Sequence, residues 1–369
     1  MVRKTHTKSR KGCLQCKKRH VKCDETRPRC RACSRLELDC TWAPGPNAPS
    51  PSPSTPSTLQ TGGSNNGASS SASAQLDIPD LRLLHFWTTN TANTVQVPAH
   101  GDIWQVKMVE MGFRHPFVLH GILAVAAIHR AGIYPAESEE LTMQSSSHMD
   151  VAISGLRYQI EHPDPAAATA VFALSGVLVI HSLGMAQIHP PSDPIGDLCH
   201  WFRLVKGTQA CVAGNWIRLL SSELAPILTS VDRKKDPGRG VAEVLQIQDL
   251  IRQEVPEDDD LHEAYLQAVD ELHTVFVNVH HYIRQQEISA VNHTLSWVAT
   301  VRPAFLDLLY NRDQLALVIL AHFAVLFRLQ ENSWWMRGWA RWTLDAVQAQ
   351  LEPRYHEWTA WACRQCEEG

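Results

Sequence analysis

The first 42 residues have few acidic side chains, only Asp24, Glu25, Glu37 and Asp39, against thirteen lysines and arginines. Residues 43–369 have the opposite balance, with 21 basic and 34 acidic residues. A strongly basic head on an acidic body is typical of a chain in which one small module binds a polyanion.

The N-terminus lacks an apolar run: MVRKTHTKSRKG is basic and polar, so we do not expect a secretory signal. Structural disulfides are then not expected either, because cytosol and nucleus keep thiols reduced. Charge is missing between Ala166 and Ser192, a stretch long enough to span a bilayer. Because this stretch is rich in Ala, Ser and Gly and has no Lys or Arg anchors at its edges, we expect a buried core helix and no membrane contact.

Apolar periodicity is missing from residues 43–75, which consist almost wholly of Pro, Ser, Gly, Ala, Asn and Thr. They predict a disordered linker without a coiled-coil seam. From about Leu76 onward helical spacing recurs and strand-like alternation is rare. We therefore predict a basic cysteine module at 1–42, a linker at 43–75 and a large all-α domain at 76–369. Predicted helical segments include 116–132, 166–186, 197–220, 241–253, 260–286, 303–311, 313–330 and 334–351.

Six of the ten cysteines follow the spacing Cys13-x2-Cys16-x6-Cys23-x6-Cys30-x2-Cys33-x6-Cys40, in which Cys-x2-Cys-x6-Cys occurs twice. Thiolates at this spacing can converge on zinc, which takes soft ligands in a tetrahedron. Two separate tetrahedral ions would need more ligands than six, so two sulfurs must be shared, and one from each repeat is the symmetric choice. We predict two Zn²⁺ ions per chain in a saturated, non-catalytic site.

The two repeats differ in charge. KKRHVK lies between Cys16 and Cys23, whereas SRLELD lies between Cys33 and Cys40. We expect the first repeat to face DNA and the second mainly to complete the metal cluster.

The six cysteines in register, the basic run after Cys16, Asp24 and Pro28 resemble the DNA-binding domain of fungal binuclear zinc-cluster (Zn2Cys6) transcription factors. The resemblance implies a small module of two short helices around two zincs. It also implies that Cys13 and Cys30 bridge the two ions. The helix that starts near Cys16 would enter the major groove of double-stranded DNA.

In that family the basic residues three and four positions beyond the second cysteine read a CG-containing triplet, which implies Arg19 and His20 here. Arg19 can donate to both guanine O6 and N7, whereas His20 replaces the usual Lys or Arg. The other cations of this region are expected either to contact phosphates, which carry no sequence information, or to be solvated surface charges. These are Lys17, Lys18, Lys22, Arg27, Arg29 and Arg31.

Four segments of the body, 81–94, 113–129, 313–327 and 334–342, resemble the regulatory domain of the sterol-uptake-regulator branch of these factors. That resemblance implies an all-helical domain that senses a sterol-like apolar ligand. The alternative is a module for homodimerisation or coregulator binding without a ligand. The tryptophans between 334 and 342 are compatible with three roles: aromatic packing that closes the domain, the wall of a ligand pocket, or a dimer interface.

We find no catalytic constellation in the body. The sequence therefore predicts a nuclear, zinc-dependent, sequence-specific DNA-binding regulator of RNA polymerase II genes, and not an enzyme.

Overall fold

The structure, a computed structural model, describes residues 13–42 apart from 20, 37 and 39, and residues 77–95, 102–229, 241–285 and 290–367. The chain divides into two compact units, residues 1–72 and 73–369. We call residues 13–42 the cysteine module and the second unit the helical unit. The predicted linker at 43–75 and the arm before Cys13 lie outside the described residues.

The cysteine module contains two short helices, α1 (Leu14–Lys18) and α2 (Arg31–Ser34). A cysteine precedes each helix and accepts a hydrogen bond from a backbone amide of its first turn. The module closes where the Leu14 amide donates to the Thr41 carbonyl at 2.8 Å. The family resemblance placed the start of the first helix near Cys16, but the helix begins two residues earlier because Cys13 caps it.

The described part of the helical unit contains helices and no strand, which confirms the all-α prediction. Its α-helices are α3 (Ile78–Phe86), α4 (Ala92–Val95), α5 (Met108–Arg114), α6 (Pro116–Ile133), α7 (Ser138–Glu161), α8 (Ala168–Met185), α9 (Pro194–Val212), α10 (Trp216–Leu220), α11 (Ala225–Thr229), α12 (Ala242–Leu245), α13 (Ile247–Glu254), α14 (His262–Gln285), α15 (Ala290–Thr300), α16 (Pro303–Tyr310), α17 (Gln314–Arg328), α18 (Trp339–Gln348) and α19 (His356–Glu367).

Local chemistry explains many helix starts. Pro116 and Pro303 each open a helix, where a missing amide hydrogen costs nothing and the fixed φ angle suits the first turn. Asp313 caps α17 by accepting from the Ala316 amide at 3.0 Å. Gly338 precedes α18 with a φ of 81°, a left-handed conformation that favours glycine.

The core has two connected halves. In the first half α6 packs against α5, α7 and α8, and in the second α17 packs against α18 and α19. Helix α9 joins them through contacts with α8, α15, α16 and α18. Helix α17 is buried without a break from Leu315 to Phe327, as expected for a central helix.

Two segments, Pro116–Ile133 and Pro165–Met185, are long and apolar enough to cross a membrane by length and composition, yet in each of them 67% of an apolar 18-residue stretch is buried inside the unit. The second is the uncharged stretch for which we predicted a buried core helix. The structure places it in the core, against α6 and α9.

The tryptophans near the C-terminus pack in the core. Trp335 and Trp339 are buried, and the Trp339 indole donates to the Leu183 carbonyl at 3.0 Å. Trp334 stacks on His129 with ring centroids 4.5 Å apart and donates to the Thr94 hydroxyl at 3.0 Å. Of the predicted roles, the structure supports packing that closes the domain.

Gly184 leaves room for Trp334. A Cβ atom at this position would lie 2.8 Å from Trp334 Cη2 and 2.9 Å from Cζ3, so the indole would have to move. We expect Gly184→Ala to destabilise the helical unit by about 1–3 kcal/mol, the usual cost of overpacking. Urea unfolding followed by tryptophan fluorescence measures this change.

Gly132→Ala is the matched control, because a Cβ atom there meets nothing within 4 Å. The same substitution at this helical position should stabilise the chain by up to about 1 kcal/mol. Equal effects at both positions would contradict the proposed steric role of Gly184.

Candidate metal centre and nucleic-acid interface

The two cysteine repeats fold in the same way. The Cys16 amide donates to Cys13 Sγ at 3.4 Å, and the Cys33 amide donates to Cys30 Sγ at the same distance of 3.4 Å. Each helix therefore begins on the sulfur of the cysteine before it.

In each repeat the sulfur of the third cysteine accepts a hydrogen bond from the backbone amide of the first cysteine. The Cys13 amide donates to Cys23 Sγ at 3.5 Å, and the Cys30 amide donates to Cys40 Sγ at 3.3 Å. Amide donors at sulfur stabilise the negative charge of a thiolate. The duplicated sequence thus produces a duplicated set of hydrogen bonds.

The six sulfurs form two groups of four that share two members. Cys13, Cys16, Cys23 and Cys30 make one group, and in each group all sulfurs lie within 4.8 Å of one another. Cys13, Cys30, Cys33 and Cys40 make the other. The shared pair contains one cysteine from each repeat, so the arrangement matches the symmetric choice of shared sulfurs predicted from the sequence.

The spacing of the sulfurs fits zinc and not disulfides. Cys13 Sγ lies 3.7 Å from both Cys30 Sγ and Cys33 Sγ, and Cys16 Sγ lies 3.7 Å from Cys30 Sγ. A disulfide needs about 2.05 Å between its sulfurs. A tetrahedron with zinc–sulfur distances of about 2.3 Å has edges of about 3.8 Å.

Five of the six cysteines are buried, and Cys40 is half-buried. Burial raises the pKa of the Cys16 thiol above its ordinary value and raises the pKa of Cys33 to about 12. Without metal these thiols hold their protons, so zinc must displace protons as it binds. The cluster can therefore hold a divalent cation but offers no open position for a catalytic water.

The loop before α2 is held by hydrogen bonds to the Asp24 carboxylate. Asp24 accepts from the Arg31 amide at 3.0 Å and from the Thr26 hydroxyl at 2.7 Å. The hydroxyl of Thr26 is the main reason that the pKa of Asp24 lies below its ordinary value. A carboxylate at the start of α2 satisfies an amide that has no partner within the helix.

Two of the loop arginines also have structural contacts. Arg29 donates to the Leu38 carbonyl through Nε at 3.0 Å and Nη2 at 2.8 Å. The Arg27 guanidinium lies 4.9 Å from the ring centroid of Trp42, whose indole donates to the Pro28 carbonyl at 3.1 Å. The sequence predicts neither these contacts within the module nor a role for Trp42, although an aromatic residue soon after the last cysteine is a usable signal.

A basic segment leaves the cluster at the end of α1. Lys17 and Lys18 form its last turn, Arg19 is its C-cap, and Lys22 follows. All four are exposed, and none makes an ion pair with a residue that the structure describes. His20, the second predicted base-reading residue, lies outside the described residues.

The site is therefore a compact cluster of cysteine thiols with a run of exposed cations on its first repeat, as in a zinc-dependent DNA-binding module. Residues 11–49 match the fungal Zn(2)-Cys(6) binuclear cluster domain, and this part of the chain belongs to that family. A domain of this family binds two zinc ions through six cysteines.

Two relatives extend the similarity over most of the chain. A Zn(2)-C6 fungal-type transcription factor of Gibberella zeae is 25% identical over 96% of this chain and 86% of its own length. A second, from Aspergillus fumigatus, is 28% identical over 88% of this chain and 87% of its own length. The chain is accordingly a DNA-binding transcription regulator, and its relatives are transcription factors and not enzymes.

Similarity to the sterol uptake control protein 2 of Candida albicans is confined to a short stretch. The two are 66% identical over 38 residues, which make up 10% of this chain and 5% of that protein. This alignment is too short to extend to the helical unit.

Proposed function

We propose that this chain binds two zinc ions through Cys13, Cys16, Cys23, Cys30, Cys33 and Cys40, with Cys13 and Cys30 bridging the ions. The loaded module reads a CG-containing triplet in the major groove and regulates RNA polymerase II genes in the nucleus. Supporting this proposal above all is the pair of four-sulfur groups that share Cys13 and Cys30.

The cations after Cys16 have separate roles in this proposal. Arg19 donates to guanine O6 and N7, the bidentate pairing that distinguishes G·C in the major groove, and His20 contacts the neighbouring base. Lys17, Lys18 and Lys22 contact phosphates, which contribute affinity through counterion release. The exposure of the three lysines and Arg19 supports this assignment.

Two substitutions separate base contacts from phosphate contacts. We expect Arg19→Ala to cost about 1–3 kcal/mol on the preferred site and to relax the preference at one base pair. Lys17→Ala should weaken binding to all sequences alike and reduce the salt slope of binding by about 1. Fluorescence anisotropy on matched and mismatched duplexes at several salt concentrations measures both.

The function as a whole is tested by selecting duplexes from a random pool with the full-length chain. We expect enrichment of a CG-containing triplet, and we expect this enrichment to disappear when zinc is chelated. Whether the selected site contains one triplet, an inverted repeat or a direct repeat of the triplet reports the oligomeric state of the chain. A pool without such a triplet, or specific binding that survives chelation, would falsify the proposal.

For the helical unit we propose a sterol-like apolar ligand as one function and ligand-free homodimerisation or coregulator binding as the alternative. The resemblance segments 81–94, 113–129 and 334–342 meet around Trp334, which contacts both Thr94 and His129. That convergence supports a shared function for these segments.

A titration of the full-length chain with ergosterol distinguishes the two. A ligand at a hundredfold excess over its dissociation constant stabilises the folded state by about 2.7 kcal/mol and raises the unfolding temperature. An unchanged midpoint together with a dimer in sedimentation experiments would favour the alternative.

A further inference from the structure

The cysteine module leaves an apolar side chain exposed among its DNA-facing cations. Val21 is 43% exposed and lies between Arg19 and Lys22, both of which are also exposed. A single exposed valine is unremarkable on a protein surface. Because Val21 lies in the basic segment, it would face base edges in the major groove when the module binds DNA as proposed.

The backbone holds Val21 in a fixed place. The Val21 amide donates to the Cys16 carbonyl at 3.1 Å, and the Arg19 amide donates to the Gln15 carbonyl at 3.0 Å. Both bonds lead back into α1, whose residue Cys16 is buried in the cluster. Val21 is thus anchored to the same short helix as the residue proposed to read guanine.

The side chain itself is suited to a shape contact. Valine is branched at Cβ and has few rotamers, so it loses little conformational entropy when another surface covers it. Among base edges in the major groove, the 5-methyl group of thymine is the apolar feature.

We propose that Val21 contacts the 5-methyl group of a thymine beside the CG-containing triplet and so extends the base sequence that the module reads. This inference rests on the proposed function, because it requires the segment after α1 to lie in the major groove.

Two other apolar side chains of the module provide the comparison. Leu14 is 47% exposed and Leu36 is 44% exposed, but Leu14 lies beside the chain closure at Thr41. Leu36 belongs to the second repeat, where its amide donates to the Cys33 carbonyl at 3.2 Å. Because Leu36 matches Val21 in exposure but not in position, Leu36→Ala is the control substitution.

The test uses the full-length, zinc-loaded chain and the duplex selected from a random pool, with thymine beside the triplet replaced by uracil. This replacement removes only the methyl group. Covering one methyl group changes a dissociation constant about fourfold. We expect the uracil duplex to bind the wild-type chain about fourfold more weakly, and Val21→Ala to bind both duplexes equally.

Leu36→Ala should keep the fourfold preference for thymine. Val21→Thr retains one of the two γ-methyl groups of valine and should keep part of this preference. Zinc content measured for each variant verifies that the cluster is intact. A selected triplet with no fixed thymine beside it, or equal loss on uracil substitution for wild type and Val21→Ala, would overturn the inference and leave the proposed function standing. Failure to select any CG-containing triplet would instead overturn the proposed function.

Discussion

Replacing Cys13 with serine should leave the full-length chain without bound zinc and without sequence-specific DNA binding. Cys13 belongs to both four-sulfur groups, so in the proposed bridging arrangement its loss removes a ligand from both ions at once. It also removes the sulfur that caps α1 through the Cys16 amide. Because structural zinc contributes on the order of 10 kcal/mol or more to the folding of such modules, we expect the whole module to unfold.

Zinc content by plasma mass spectrometry and gel-shift binding to the selected duplex measure this outcome. Cys23 belongs to one group only, so Cys23→Ser should retain more zinc than Cys13→Ser. Cys363→Ser in α19 of the helical unit is the control and should keep both ions. A Cys13→Ser chain that still holds two zinc ions would contradict the bridging assignment.

Acidification should destabilise the helical unit strongly, because it contains histidines that are buried without charge. Burial lowers the pKa of His129 and of His322 from 6.5 to about 4. His322 lies within α17, and its Nδ1–H donates to the Val318 carbonyl of the same helix at 2.9 Å. His129 has the Thr91 hydroxyl 3.0 Å from Nδ1.

The direction of the pH effect follows from these values. The unfolded chain binds protons on these histidines below about pH 6.5, whereas the folded chain resists binding them until about pH 4. Their contribution to stability is therefore complete above pH 6.5 and is lost as the pH falls toward 4. Each group accounts for about 3 kcal/mol over this range, a large part of the stability of a typical domain.

Urea unfolding between pH 7.5 and 4.5, followed by tryptophan fluorescence, measures this dependence. His322→Gln keeps a donor for Val318 and cannot take up a proton, so it should flatten the pH dependence. His85→Gln, at an exposed position of α3, is the control. A pH dependence that is unchanged in His322→Gln would show that this histidine does not control acid stability.

The cysteine module was predictable because its fold is determined by local spacing and by the geometry of zinc. Six thiols in two repeats of the same spacing favour sharing one sulfur from each repeat, and in the structure the shared pair is Cys13 and Cys30. The spacing of the cysteines does not predict that the loop arginines also make contacts within the module. Arg29 reaches Leu38 and Arg27 reaches Trp42 only after the cluster has brought the two ends of the module together.

The helical unit was predictable in class but not in detail. Helix α7, one of its longest, is not among the helical segments quoted from the sequence, and two of its five buried positions are polar, Ser145 and His148. Ser145 donates to the Ala124 carbonyl at 2.9 Å, and the His148 ring nitrogen lies 2.9 Å from that of His120. Partners on other helices make these polar groups compatible with burial, and a search for apolar periodicity cannot see them.

The predicted helix over 197–220 shows the same limit. It is two helices, α9 and α10, separated by a short turn at Ala213–Asn215. Apolar spacing continues across the turn, so the sequence pattern alone does not reveal the break.

By itself the sequence determined the metal chemistry, the basic character of one repeat and the all-α class of the body. These follow from residue types and short spacings, which act locally. Only the tertiary structure decided which sulfurs share neighbours, where Trp334 packs against Gly184 and His129, and which polar groups of α7 can be buried. Those features depend on contacts between residues far apart in the chain, whose partners are set by how the helices pack.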